Sequence, residues 1–123
     1  MRFVDEATIS VKAGNGGHGG DGGNVIVFAD PRLLSLYDFR LKRRYEAQNG
    51  QSGMGSQCCG RKGEDLRLGL PVGTQIFART PEGETQLVDL NEPNMEVVVA
   101  HGGRGGKGNE HFKSATMRAP RFA

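Results

Sequence analysis

Arg104 and Lys107 stand in a stretch where every close neighbour is glycine: Gly102-Gly103-Arg104-Gly105-Gly106-Lys107-Gly108. Cations on a backbone almost bare of other side chains suit one chemistry above others, the neutralisation of phosphates approached at close range. Phe112-Lys113 follows this stretch, and Arg61-Lys62 lies between Gly60 and Gly63. Arg61, Lys62, Arg104, Lys107 and Lys113 are therefore the candidate phosphate-contacting residues. Extended, sparsely decorated, charged tips fit a narrow RNA crevice better than a flat protein surface.

Other chemistries find less support. A phosphate-binding P-loop needs G-x-x-x-x-G-K-[ST] after a strand. His101-Gly102-Gly103-Arg104-Gly105-Gly106-Lys107-Gly108 has His in the first position and Gly in the last, so it lacks both the first glycine and the magnesium-binding hydroxyl. Gly14 to Gly19 spells a dinucleotide-type G-x-G-x-x-G, but as a by-product of a three-residue period, and no helix pattern follows. His18, His101 and His111 have no Ser or Cys in a nucleophile signature beside them. Cys58 and Cys59 are adjacent; neighbours rarely bridge, and with no histidine nearby they make no zinc site. They read as reduced thiols. The carboxylates are scattered, without a pair suited to acid–base work. No catalytic residue and no metal ligand is assigned.

The glycines that position the cations recur every third residue. Gly14, Gly17, Gly20 and Gly23 make one row, Gly16, Gly19 and Gly22 a second, and Gly102, Gly105 and Gly108 a third; Gly50–Gly53 and Gly60–Gly63 are shorter copies. Three residues is the period of the polyproline II helix, and glycine at that period lets such helices lie in backbone contact. The plain alternative is that the glycines only make loops. Each tract is a few triplets long with no proline inside it, unlike collagen. The tracts are too far apart to form one linear helix, so they must converge in space.

Glycine and proline make 25 of the 123 residues, yet apolar alternating segments separate the tracts, which argues against general disorder. The length fits one domain with one modest core. With no apolar run long enough to cross a bilayer and no signal peptide, the chain reads as soluble and cytoplasmic, with no membrane partner. Net charge is +2 but segregated: residues 40–62 carry +5, residues 101–123 carry +4, residues 63–100 carry −5 and residues 1–39 carry −2. The basic charge travels with the tracts, which hints at a phosphate-backbone partner met by one end of the molecule.

The intervening segments alternate as strands do. Ala7, Ile9 and Val11 face one way. Asn24 to Ala29, Arg44 to Ala47, Leu66 to Leu70, Thr74 to Arg79, Thr85 to Leu90 and Met95 to Ala100 read likewise, with turns at Pro71-Val72-Gly73-Thr74 and Pro81-Glu82-Gly83-Glu84. Pro31-Arg32 starts a turn or a single helical turn. Seven or eight short strands with no sustained helical period argue for a barrel or sandwich; the reading adopted is a mainly β fold, a small β-barrel from which the glycine tracts emerge and meet at one end.

At these same residues the sequence resembles the N-terminal domain of the Obg family of bacterial GTPases. The resemblance rests on Phe3-Val4-Asp5-Glu6-Ala7 with Ala13-Gly14-Asn15-Gly16-Gly17, on Gly19-Gly20-Asp21-Gly22-Gly23-Asn24-Val25, and on Gln48-Asn49-Gly50-Gln51-Ser52-Gly53. It continues through Cys59-Gly60-Arg61-Lys62-Gly63-Glu64-Asp65-Leu66 and Val72-Gly73-Thr74. It closes on Gly102-Gly103-Arg104-Gly105-Gly106-Lys107-Gly108-Asn109, Phe112-Lys113-Ser114 and Pro120-Arg121.

The resemblance implies one Obg-fold domain over residues 1–123, with glycine-rich tracts at 14–23, 50–63 and 102–108. It implies a barrel bearing six glycine-rich polyproline II-like helices. It implies that a whole family protein binds GTP and Mg²⁺, hydrolyses GTP and acts in assembly of the large ribosomal subunit, and that this domain reaches the 23S rRNA near the peptidyl-transferase centre. No GTPase motif is present, so this chain is expected to be no enzyme and to hold no cofactor itself. The alternative role is docking of the GTPase domain or of a stress-response (stringent response) regulator; DNA is not an expected partner. One departure stands out: the family usually has a long aromatic and basic segment where Gly17 here passes almost at once to His18-Gly19-Gly20.

Overall fold

The structure, a computed structural model, describes residues 4–16, 20–50, 62–104 and 114–120. It is mainly β. The strands are β1 (Val4–Lys12), β2 (Val25–Ala29), β3 (Arg44–Glu46), β4 (Leu66–Leu70), β5 (Thr74–Thr80), β6 (Gly83–Leu90), β7 (Glu96–Ala100) and β8 (Ser114–Pro120), with one short helix, α1 (Tyr37–Leu41). They form two sheets, one ordered β3-β1-β8-β5-β6 and one ordered β4-β2-β7. The barrel expected from the sequence has its strands, but among the described residues no ladder joins the two sheets into a closed ring.

Alternation sets which face is buried. Ala7, Ile9 and Val11 from β1, Val25, Val27 and Ala29 from β2, Leu68 and Leu70 from β4, and Ala115, Met117 and Ala119 from β8 join one apolar cluster. Leu36, Leu70, Leu90 and Met117 are the largest fully buried apolar side chains, each contributing roughly 1.5–3 kcal/mol by leaving water. β8 escapes the alternation rule. It buries Ala115, Thr116 and Met117 in succession, and small residues on both faces carry little strand signal.

Two turns use glycine for its backbone. Gly73, with φ of 92°, closes the turn between β4 and β5, and Gly83, with φ of 125°, ends the β5–β6 turn. Asn94, at φ of 65°, sits in the turn before β7, where its amide donates to the Ala29 carbonyl at 2.8 Å; asparagine tolerates this region better than most residues. The α1 segment is tied to the start of β1 by a buried carboxylate. Asp5 accepts from the Leu36 amide at 2.7 Å and from Ser35 Oγ at 3.2 Å, and Arg40 Nη1 lies 3.2 Å away.

Strand direction decides where the tracts leave. β1 runs parallel to β3, and β2 runs parallel to β4. Parallel neighbours cannot be joined by tight hairpins and need long crossovers; here glycine tracts take part in those crossovers. The ends of β1 and β3 lie in register at Lys12 and Glu46, and the starts of β2 and β4 at Val25 and Leu66, beside the end of β7 at Ala100. Residues 13–16, 20–24, 47–50, 62–65 and 101–104 continue from these five ends and meet, as expected.

Candidate nucleic-acid interface

The convergent segments form a bundle held by backbone. Gly14 N–H donates to the Gly23 carbonyl, Gly103 N–H to the Gly14 carbonyl and Gly22 N–H to the Gly103 carbonyl, each at 2.9 Å, closing a triangle of three segments. The other two segments attach to it. Gly23 N–H donates to the Gln48 carbonyl at 2.8 Å, Gly50 N–H to the Asn15 carbonyl at 2.7 Å, and Gly63 N–H to the Asp21 carbonyl at 2.8 Å. These bonds run between segments, as they must where an extended helix has none of its own.

Glycine is required here by space. A Cβ built on Gly102 would land on the Gly22 carbonyl oxygen, and one built on Gly22 would land on that of Gly14. The same holds for Gly14 and Gly23 against the Gln48 and Glu64 carbonyls, and for Gly50 against that of Gly20. None of these glycines has the left-handed backbone found at Gly73 and Gly83. Of the glycines picked out by period, Gly14, Gly20, Gly23 and Gly102 therefore lie in the bundle; Gly17, Gly105 and Gly108 lie outside the described residues.

Polar side chains at the junctions of tract and strand complete the lattice, and the sequence reasoning missed them. Asn24 Oδ1 accepts from Gly102 N–H at 2.7 Å, and Asp65 Oδ1 accepts from Asn24 N–H at 2.8 Å. Asn49 Oδ1 accepts from Asn15 N–H, and Gln48 Oε1 from Glu64 N–H, both at 2.8 Å. The signal that could have found them was an Asn, Gln or Asp within two residues of a glycine: Asn24 beside Gly23, Gln48-Asn49 before Gly50 and Asp65 after Gly63.

The bundle brings two predicted cations to one cleft. Lys62 and Arg104 line a cleft of about 180 Å³ together with Asp21, Asn24 and His101. Both are exposed, Arg104 at 90% of its side chain. Each meets an acid only loosely: Arg104 Nε lies 4.0 Å from Asp21 Oδ2, and Lys62 Nζ lies 4.0 Å from Asp65 Oδ1. Exposed ion pairs at such range contribute little and are readily exchanged for another anion. Arg61, Lys107 and Lys113, like Cys58 and Cys59, lie outside the described residues. Not all basic charge follows the tracts. Arg118 sits on β8 over the Phe77 ring, with Glu6 at 3.3 Å and Glu84 at 3.1 Å.

The amides of Gly102 and Gly103 in this glycine tract are already donated, to Asn24 and to Gly14. No residue here is assigned to GTP or Mg²⁺.

The sequence model of the GTP1/OBG family matches residues 1–123. This chain belongs to the GTP1/OBG family. It is 63% identical to proteins named GTPase Obg from Desulfovibrio desulfuricans and from Nitratidesulfovibrio vulgaris strain Miyazaki F, over the whole of this chain and 39% of each relative. It is 45% identical to the GTPase Obg of Myxococcus xanthus, again over the whole chain and 29% of that protein. The chain thus spans about two fifths or less of the curated relatives it matches. The stretch aligned with the Desulfovibrio protein is 143 positions, exceeding the 123 residues of this chain by 20, so the two differ in internal length. The shortened passage read after Gly17 falls on residues 17–19, outside the described residues.

Proposed function

We propose that this domain docks a GTPase of the GTP1/OBG family onto 23S rRNA of the large ribosomal subunit, during assembly of that subunit. GTP and Mg²⁺ belong, on this reading, to the rest of such a protein, and the domain contributes affinity and position rather than chemistry. The observation that carries the reading is the cleft at the bundle. A scaffold braced by hydrogen bonds between its own backbone segments and flanking polar side chains holds Lys62 and Arg104 exposed at one place. Cations loosely tied to carboxylates can be handed to phosphates without leaving a buried charge behind. Arg61, Lys107 and Lys113 are assigned to the same contact.

Co-sedimentation of the chain with purified large ribosomal subunits over a salt series tests this. Affinity that falls steeply with salt, by close to one log unit per log unit of salt for each phosphate contacted, supports RNA docking. Binding that is nearly independent of salt, or no binding at low salt, overturns it; the former would favour a protein-docking module.

A further inference from the structure

We propose a second RNA-contacting surface at the open edge of the five-stranded sheet and the segment leading into it from α1, formed by Lys42, Arg43 and Arg44 with Tyr37. Among the described residues β3 pairs with β1 alone and leaves its other edge unpaired. Arg40, Lys42, Arg43 and Arg44 are four cations within five residues, and all four are exposed. Arg44 is 82% exposed and pairs with Glu46 at 3.3 Å; Asp38 is the other acid of the segment. Lys42 and Arg44 with Glu46 line an open concavity of about 530 Å³.

Basic residues commonly guard a sheet edge against aggregation. Guarding alone does not account for the aromatic arrangement. Lys42 Nζ lies 4.9 Å from the centre of the Tyr45 ring, and the Arg40 guanidinium lies 5.8 Å from that of Tyr37. Tyr37 is 56% exposed between Leu34 and Leu41, which are also exposed. Cations beside an exposed aromatic face are the combination that holds a phosphate backbone while a base stacks.

Continuity supports the same partner. β3 ends at Glu46 and passes directly into the 47–50 segment of the bundle. The Asp5–Arg40 contact places the other end of the strip beside the start of β1. The strip therefore runs along the domain's side toward the cleft of Lys62 and Arg104, and an RNA strand held at the cleft can continue along it. This rests on the RNA-docking reading.

The test compares Lys42→Glu/Arg43→Glu, Tyr37→Ala and Lys62→Glu/Arg104→Glu with the parent chain, by co-sedimentation with large ribosomal subunits across a salt series. Neither Lys42 nor Arg43 holds the Asp5 carboxylate, so circular dichroism should be unchanged; should the double variant fail to fold, Lys42→Gln/Arg43→Gln replaces it. The strip variant is expected to bind at least tenfold more weakly at low salt and to lower the salt slope by about 2, near 0.9 for each phosphate no longer neutralised. Tyr37→Ala should weaken binding several-fold with the slope unchanged. Parent-like affinity and slope in the strip variant, with binding abolished in the cleft variant, would overturn the second surface and leave the docking reading standing. Weaker binding of the strip variant without a change of slope would assign the edge to a protein and also overturn it. Failure of the parent chain to bind would remove both.

Discussion

The amide of Gly103 donates to the carbonyl of Gly14 at 2.9 Å, which pins the last glycine segment of the described chain against the first. The bond works only because no side chain stands between neighbouring backbones, as the surroundings of Gly22 and Gly102 make plain. Close approach, rather than backbone freedom, is what the glycines supply in the bundle.

Gly102→Val should therefore be severe. Its new side chain meets the Gly22 carbonyl, with the Gly23 carbonyl 3.0 Å from the Cβ, and a backbone neighbour cannot swing aside. Overpacking of this kind costs about 3 kcal/mol or more, a fall in melting temperature of roughly 10 °C or more by calorimetry. Gly83→Ala is the contrast, since nothing lies within 4 Å of its Cβ but φ is 125°. Its cost should be of order 1–2 kcal/mol, with subunit binding preserved. Equal melting temperatures for parent and Gly102→Val would refute the bundle.

Asn24→Ala should loosen the bundle without clashing. It removes the acceptor of the part-buried Gly102 amide, at a cost of about 1–3 kcal/mol. Hydrogen exchange at Gly102 should accelerate in the variant. Unchanged protection there would show that the Asn24 bond is dispensable.

Asp5→Ala should free the α1 segment. The carboxylate is buried and holds the Leu36 amide, Ser35 and Arg40 together. Losing its charge-assisted bonds should cost about 2–4 kcal/mol, with proteolysis accelerated within residues 31–43. A cleavage pattern identical to that of the parent would contradict this role.

Acid should weaken the pair between exposed Arg32 and the largely buried Asp30. The Arg32 side chain donates to Asp30, the Arg32 amide does so as well, and together they hold the Asp30 carboxyl below its ordinary value. A lowered folded-state value favours the native state at pH above the ordinary carboxylate range and ceases to do so as pH falls through the lowered value. Arg32→Gln should melt slightly below the parent at neutral pH, and the gap should close as pH falls beneath the ordinary carboxylate range. A gap that persists or widens in acid would have the wrong sign.

Much of this architecture was legible in the sequence. The alternation of Ala7, Ile9 and Val11 and the Pro71–Thr74 and Pro81–Glu84 turns fix local structure by side-chain period and backbone preference. The three-residue glycine period pointed to convergence, because close backbone approach demands it. β8 was not legible, since Ser114–Pro120 is rich in small residues and has no two-faced pattern. Which strands share a sheet was hidden too, because strand pairing depends on long-range register that alternation does not encode. In the cleft, Lys62 and Arg104 were foreseen as cations, but the loose partner Asp21 of Arg104 and the bracing by Asn24 and Asn49 arise only when distant segments meet, while Asp65 lies three residues from Lys62 in the same segment.

The most direct test of the docking account is the binding of Lys62→Glu/Arg104→Glu to large ribosomal subunits at low salt, measured beside the parent chain with folding checked by thermal melting. The account predicts an unchanged fold, affinity reduced at least tenfold and a salt slope shallower by about 2. A folded variant that binds with the parent's affinity and slope would contradict it.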